Sequence, residues 1–341
     1  MIFRKLLLFP FAIIYGGITA FRNFLYNSGL KKSYAIPNKA IVIGNLSVGG
    51  TGKSPHTLYL WELLHNEHPI AILSRGYGRK TKGVLEVSEN HTADEVGDEP
   101  LMFKKRVGNR ALVVVAENRE EGVKFIQRQQ KNAVILLDDA FQHRKVTSGC
   151  SILLTDFNQP YYSDCVLPAG NLRECQSGKK RATSLIVTKC PATISEATKK
   201  SIVKRLKFHN NHVFFSQIHY GALLPFEKSV ETIKNVLLVT GIANPKPLEA
   251  YLKQQFQVES LVFADHHQFT REDIAKIHTK FDTFAPHQSI IVTTEKDRVR
   301  LNAVLTAEEQ QNYPWYCQTI TVKIDKEEMF KNYIKNYVNT I

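Results

Sequence analysis

Short apolar runs separated by polar, helix-compatible stretches recur along the chain: "AIVIGN" (40–45), "PIAILS" (69–74), "ALVVVA" (111–116), "AVILLDD" (133–139), "SILLTD" (151–156) and "SLIVTK" (184–189). Runs this short, without alternation, predict strands buried on both faces, and their rhythm with the intervening helices predicts a parallel sheet of βαβ units. A second series follows: "HVFFSQIHY" (212–220), "NVLLVTGIA" (235–243), "VESLVFA" (258–264) and "SIIVTTEKD" (289–297), with helices expected near 246–256 and 271–281. It predicts a smaller α/β unit. The pattern breaks near 208–225, at "FHNNH" and Pro225, so the expected organisation is a main α/β domain over 34–217 and a smaller α/β domain over 218–341.

Residues 1–33 follow neither rhythm. After Arg4 and Lys5 the chain is apolar from Leu6 to Phe21 apart from Thr19, then meets Arg22. The run is shorter than the ~20 residues of a spanning helix, and its basic flanks fit a membrane-associating helix, monotopic or shallowly inserted from the cytoplasmic face. Charge sharpens this picture. The chain carries 45 Lys and Arg against 32 Asp and Glu, a formal +13, and no acid precedes Glu62. Such a bias favours anionic partners. Nucleic acid is not the expected one, because the aromatics lie mostly in strands and in the N-terminal segment rather than interleaved with basic residues. The five cysteines form no C-x-x-C pair, which argues against a zinc site or a disulfide framework.

The candidate chemistry begins after the first strand. "SVGGTGKS" (Ser47, Val48, Gly49, Gly50, Thr51, Gly52, Lys53, Ser54) lies between a strand and a helix, where backbone N–H groups and a helix N-terminus cradle phosphate. The glycines allow close approach, Lys53 reaches β- and γ-phosphates, and the Ser54 hydroxyl is placed to ligate Mg²⁺. The strict phosphate-loop pattern has glycine where this chain has Ser47. "VILLDD" supplies Asp138 and Asp139 at the end of a buried strand, the usual place of a second Mg²⁺ handle. Arg75, Arg79, Arg119 and Arg173 are candidates for phosphate contacts. Asp98 and Glu99, on an expected loop, read equally as a proton acceptor or as a helix cap. His143, His266 and His267 are candidates to orient a base. "DHH" also suits a metal phosphoesterase, but the further Asp and His clusters such enzymes need are not found.

The set "NLSVGGTGKSP", "SRGYGR", "VGDEP", "DDAFQHR", "PAGNLRE", "GIANP" and "DHHQFT" closely resembles the bacterial tetraacyldisaccharide 4'-kinases, over roughly residues 1–300. In that family a serine likewise stands at the position of Ser47, whereas Ala140 replaces a more usual glycine. The resemblance implies a P-loop NTPase-like fold, with a parallel sheet core, an N-terminal membrane-associated helix and a second, smaller α/β domain. It implies an ATP- and Mg²⁺-dependent kinase that phosphorylates the 4'-hydroxyl of an acylated disaccharide 1-phosphate. The resemblance implies that this work is done at the cytoplasmic side of the bacterial inner membrane, in lipid A biosynthesis. It assigns catalysis to Asp98, His266, Lys53 and Arg119, nucleotide binding to residues 47–54, and metal binding to Ser54, Asp138 and Asp139. Arg75, Tyr77, Gln142, His143, Asn171 and Glu174 match positions lining the nucleotide and lipid headgroup site. The alternative reading is a GTPase or metallochaperone-type P-loop NTPase, for which "TTEKD" lacks the asparagine of a guanine-reading motif.

Overall fold

The computed structural model describes residues 2–209 and 212–340; Asn210 and Asn211, inside the "FHNNH" break, lie outside the described residues. Helix α1 runs Ile2–Asn27. Twelve strands then build one sheet: β1 Ala40–Asn45, β2 Ile70–Ser74, β3 Leu85–Glu86, β4 Leu112–Val115, β5 Val134–Asp138, β6 Cys150–Asp156, β7 Ser184–Thr188, β8 Val213–Pro225, β9 Asn235–Thr240, β10 Gln257–Val262, β11 Ser289–Thr294 and β12 Trp315–Ile324. Their spatial order is β10-β9-β11-β12-β8-β7-β6-β1-β5-β2-β4-β3.

The short apolar strands are buried on both sides, as their lack of alternation predicts. Ile41 and Ile43 face one core with Ile72 and Leu136, while Ala40 and Val42 face another with Leu73 and Leu137. The final helix, Glu327–Asn339, closes the first of these cores with Phe330, Ile334 and Val338, and its Tyr337 hydroxyl donates to the Ala40 carbonyl at 2.9 Å. The second half has cores of its own around Trp315, Leu237 and Ile291 on one face and Val236, Leu238 and Ile290 on the other.

One strand joins the halves. Val213, Phe214 and Phe215 of β8 pair in parallel with Leu185, Ile186 and Val187. From Ser216 onward β8 runs past its neighbour and pairs antiparallel with β12, with Ser216 opposite Ile324 and Pro225 opposite Tyr316. The strands of the second half, parallel to β12, therefore point back at the first half. Carboxyl ends of both sets face each other, and ligands of open α/β sheets bind at such ends.

Sequence and structure differ at three places. The "EKD" read as the tail of a strand opens a helix, Glu295–Leu301, because Thr294 caps it by accepting from the Asp297 N–H. Asp98 and Glu99 lie in the first turn of a helix, Asp98–Val107, entered through Gly97 at φ 92° rather than on a loop. Strand β12 was not expected, since Gln318 and Thr319 interrupt its apolar pattern. Both are buried because they bond to the irregular stretch of β8, donating to the Gly221 and Ala222 carbonyls.

Helix α1 has its polarity reversed. The stripe facing protein is Ala12, Tyr15, Gly16, Thr19, Asn23 and Tyr26, mostly small or polar residues three and four apart with half-buried Leu8 and Leu25 at its ends, while Leu7, Phe9, Phe11, Ile13, Ile14, Ile18, Phe21 and Phe24 are exposed. Tyr15 donates to the Arg173 carbonyl, Arg22 to the Gln142 carbonyl and Asn23 to Glu174, at 2.9, 2.8 and 2.7 Å. By length and composition Leu7–Asn27 is sufficient to cross a membrane, longer than the apolar run alone suggested.

Candidate active site

Four strand ends bring the predicted residues together. After β1 the loop turns through Gly49 and Gly52, both in the left-handed region at φ 97° and 87°, where only glycine is unstrained. It delivers Lys53 and Ser54 as the first residues of helix α2, Lys53–Leu64. Ser47 and Val48 are strapped to the 171–172 segment, Ser47 by a bridge to Leu172 and Val48 N–H by a 2.7 Å bond to the Asn171 carbonyl. Lys53 Nζ lies 3.5 Å from Asn45 Oδ1 and from the Gly49 carbonyl, and 3.6 Å from Asp139 Oδ2. Burial pulls the Lys53 ammonium below its usual range, against the attraction of Asp139.

Asp138 and Asp139 end β5 with different environments. Asp138 is buried and accepts from Thr57 and Ser74 at 3.3 and 3.4 Å. Burial, with the charge of Asp139 beside it, pushes its carboxyl up to about 6. Burial also raises Asp139, but Lys53 and Arg173 outweigh it and hold that carboxyl below the ordinary range; Arg173 Nη1 sits 2.8 Å away.

Around this pair, Arg119 is 1% exposed and holds backbone, donating to the Ala116 and Asp138 carbonyls. Gln142 Nε2 donates to the Asn45 carbonyl and to Glu174, which also takes a 2.6 Å ion pair from Arg181. His143 is held neutral: burial, then Arg119 and Arg75, push its pKa down to about 4. Asn171 is exposed and bonds Asp164, so of this residue it is the carbonyl that touches the phosphate loop. Arg75 and Tyr77 are exposed at the mouth, Tyr77 with its ring 6.4 Å from that of His266.

The opposite wall comes from the second half. His266, at φ 57°, puts Nδ1 3.2 Å from Asp98 Oδ2. His267 turns the other way, stacks on Phe263 and bonds Asp273 at 2.8 Å. Sequence reasoning missed two further cations here. Arg300 Nε is 3.6 Å from Asp98 while its Nη2 pairs with buried Asp297 at 2.7 Å, and Lys296 pairs with Glu99 at 2.6 Å. Lys296 also lies in the fields of Asp138 and Asp98. With Arg106 on Glu295 at 2.9 Å, three ion pairs join the Asp98 helix to the Glu295 helix.

The arrangement suits phosphoryl transfer: a phosphate cradle, a lysine, an acid pair and a carboxylate in contact with an imidazole from the second half. The acid pair also fits a divalent cation. Asp138 is pushed up by burial and then by the charge of Asp139, a penalty that a cation would relieve, and the buried Thr51 hydroxyl of the phosphate loop has no hydrogen-bond partner. Mg²⁺ needs few protein ligands when phosphates supply the rest.

Comparison with known proteins follows the same line. A family model described as Tetraacyldisaccharide-1-P 4'-kinase matches residues 4–339. The tetraacyldisaccharide 4'-kinase of Flavobacterium psychrophilum is 43% identical over 349 residues, covering 100% of this chain and 98% of that protein. That of Bacteroides thetaiotaomicron is 39% identical over 352 residues, covering 97% and 92%. Among solved structures, LpxK from Aquifex aeolicus, described as an "apo" form in complex with ATP, matches with a TM-score of 0.75 at 30% identity, covering 98% of this chain and 99% of that one.

Proposed function

The chain belongs to the tetraacyldisaccharide 4'-kinase family, and from that premise we propose how its residues divide the work. The enzyme transfers the γ-phosphate of ATP to the 4'-hydroxyl of tetraacyldisaccharide 1-phosphate. The observation that carries the residue assignment is the contact between Asp98 and His266, which stand on opposite halves.

ATP lies with its phosphates in the loop 47–54. Lys53 and Arg173 offset charge on the transferring group, and Arg119 braces the Asp138 backbone beneath it. Ser54, Asp138 and Asp139 would hold Mg²⁺, which when bound would offset negative charge on the phosphates. The 4'-hydroxyl oxygen bonds to the γ-phosphorus as the bond to the β,γ-bridging oxygen breaks and ADP leaves. The hydroxyl proton passes to Asp98 and His266, which stand in hydrogen-bond contact. Arg75, Tyr77, Gln142, His143, Asn171 and Glu174 line the route of the nucleotide and the lipid headgroup. If the chain divides at 34–217 and 218–341, with the final helix returning to the first core, the proton-accepting pair spans a cleft that closes on both substrates.

The acceptor is an amphiphile, and the reversed polarity of α1 supports a surface-bound enzyme. An exposed row of eight large apolar side chains, docked through its polar stripe onto the loops that hold Arg173 and Glu174, is too large to leave to water. We place it in the cytoplasmic leaflet of the inner membrane, with the basic N-terminal region against anionic headgroups.

Transfer of labelled phosphate from ATP to a tetraacyl disaccharide 1-phosphate in mixed micelles tests the reading. Labelled bisphosphorylated lipid is expected from the wild type and not from Lys53→Ala. ATP hydrolysis by folded protein without labelled lipid would instead support the NTPase alternative.

A further inference from the structure

His56 lies one turn into α2, just beyond the phosphate loop, and no step above uses it. Its imidazole is buried between two partners: Nδ1 is 2.6 Å from the Gly52 carbonyl oxygen and Nε2 is 2.9 Å from Ser216 Oγ. The partners decide the tautomer. A carbonyl only accepts, so Nδ1 carries the proton and donates; Nε2 then bears the lone pair and accepts from the Ser216 hydroxyl. Burial, opposed in part by the Gly52 bond, pulls the pKa down to about 4, so this neutral form persists at physiological pH.

The two ends of this relay have distinct places in the fold. Gly52 is the last residue of the loop and precedes Lys53. Ser216 is where β8 leaves β7 and takes up β12, and its own carbonyl accepts from the Cys190 N–H at 2.9 Å, which anchors it to the turn after β7. The β8–β12 pairing that begins there is the sheet's link to the second half, which bears His266, Lys296 and Arg300.

We propose that His56 is a positioning residue whose imidazole ties the carbonyl beside Lys53 to the strand junction at Ser216, setting the phosphate loop relative to the half that bears His266. The inference rests on the reading of Asp98 and His266 as the proton-accepting pair. A buried side chain that only filled space would not need a directional bond at each ring nitrogen, and these two bonds end on the phosphate loop and on the strand residue from which the second half departs. The relay works through geometry alone: the phosphate loop and the second half keep one mutual orientation, and small misplacements in a phosphoryl-transfer site are costly.

The test uses the full-length enzyme with ATP and tetraacyl disaccharide 1-phosphate in mixed micelles. Ser216→Ala removes the far bond and leaves the Gly52 bond intact. It is expected to lower kcat roughly tenfold while KM for ATP stays within about twofold. His56→Asn keeps a donor near the Nδ1 position but cannot reach Ser216, so it should match Ser216→Ala, and the double variant should fall no further. In a His266→Ala background, Ser216→Ala should cost less than about twofold, because the arrangement it positions is already lost. Wild-type kcat in Ser216→Ala overturns the proposal, as does a full tenfold loss in both backgrounds, which would confine the serine to the loop. If Ser216→Ala does not fold, His56→Asn in the two backgrounds decides by the same criterion. A silent His266→Ala would defeat the proton-acceptor reading instead, and the split between kcat and KM in Ser216→Ala would then judge the relay by itself.

Discussion

Asp98 and His266 stand 168 positions apart in the chain and 3.2 Å apart in space. Acting as one unit, they should lose activity as one unit. Asp98→Ala and His266→Ala are each expected to lower kcat on the order of 10²-fold or more with little change in KM for ATP, and the double variant should be no slower than the worse single. Multiplying losses in steady-state kinetics would argue for separate roles. Single residues were legible where their chemistry is local. Lys53, Ser54, Asp138 and Asp139 sit in short runs whose backbone setting, a strand end or a loop before a helix, can be read from neighbours. Lys296 and Arg300 were not legible, because an isolated cation acquires its meaning from Glu99 and Asp98, nearly two hundred residues earlier.

At the scale of elements, α1 shows how a pattern is read and what it leaves open. The apolar run was evident; which face it would turn outward was not. Because the exposed face touches no protein, Ile14→Glu and Phe21→Glu should leave the thermal midpoint unchanged and weaken binding to anionic lipid vesicles. Loss of one buried apolar side chain, worth roughly 1.5–3 kcal/mol, corresponds to tenfold or more in partitioning, measured by vesicle sedimentation. Unchanged sedimentation would remove the membrane role of this face. Strand β12 illustrates the opposite failure. Its buried Gln318 and Thr319 look like surface residues until the bulged stretch of β8 provides their partners.

The whole molecule adds a property that no single element carries. His56 and His143 both have pKa values pulled down to about 4 by burial, from an ordinary value of ~6.5 in an unfolded chain. Below that ordinary value the unfolded chain takes up protons that the folded one refuses. The stabilising contribution is therefore complete above about pH 6.5 and is lost as pH falls toward 4. Urea midpoints should decline from pH 7 to pH 5, and His143→Gln should flatten that decline by about 1 to 2 kcal/mol; an identical slope in the variant would show that His143 is not held neutral. Sequence alone determined the buried parallel strands, the phosphate loop, the acid pair and the apolar N-terminus, because each depends on side chains within one strand, turn or helix. Only tertiary structure decided that β8 reverses the second half so that both sets of strand ends face one cleft, that His266 rather than His267 meets Asp98, and that Lys296 and Arg300 complete its wall. Those outcomes depend on strand pairing and on φ at single residues, which distant contacts select and local patterns do not encode.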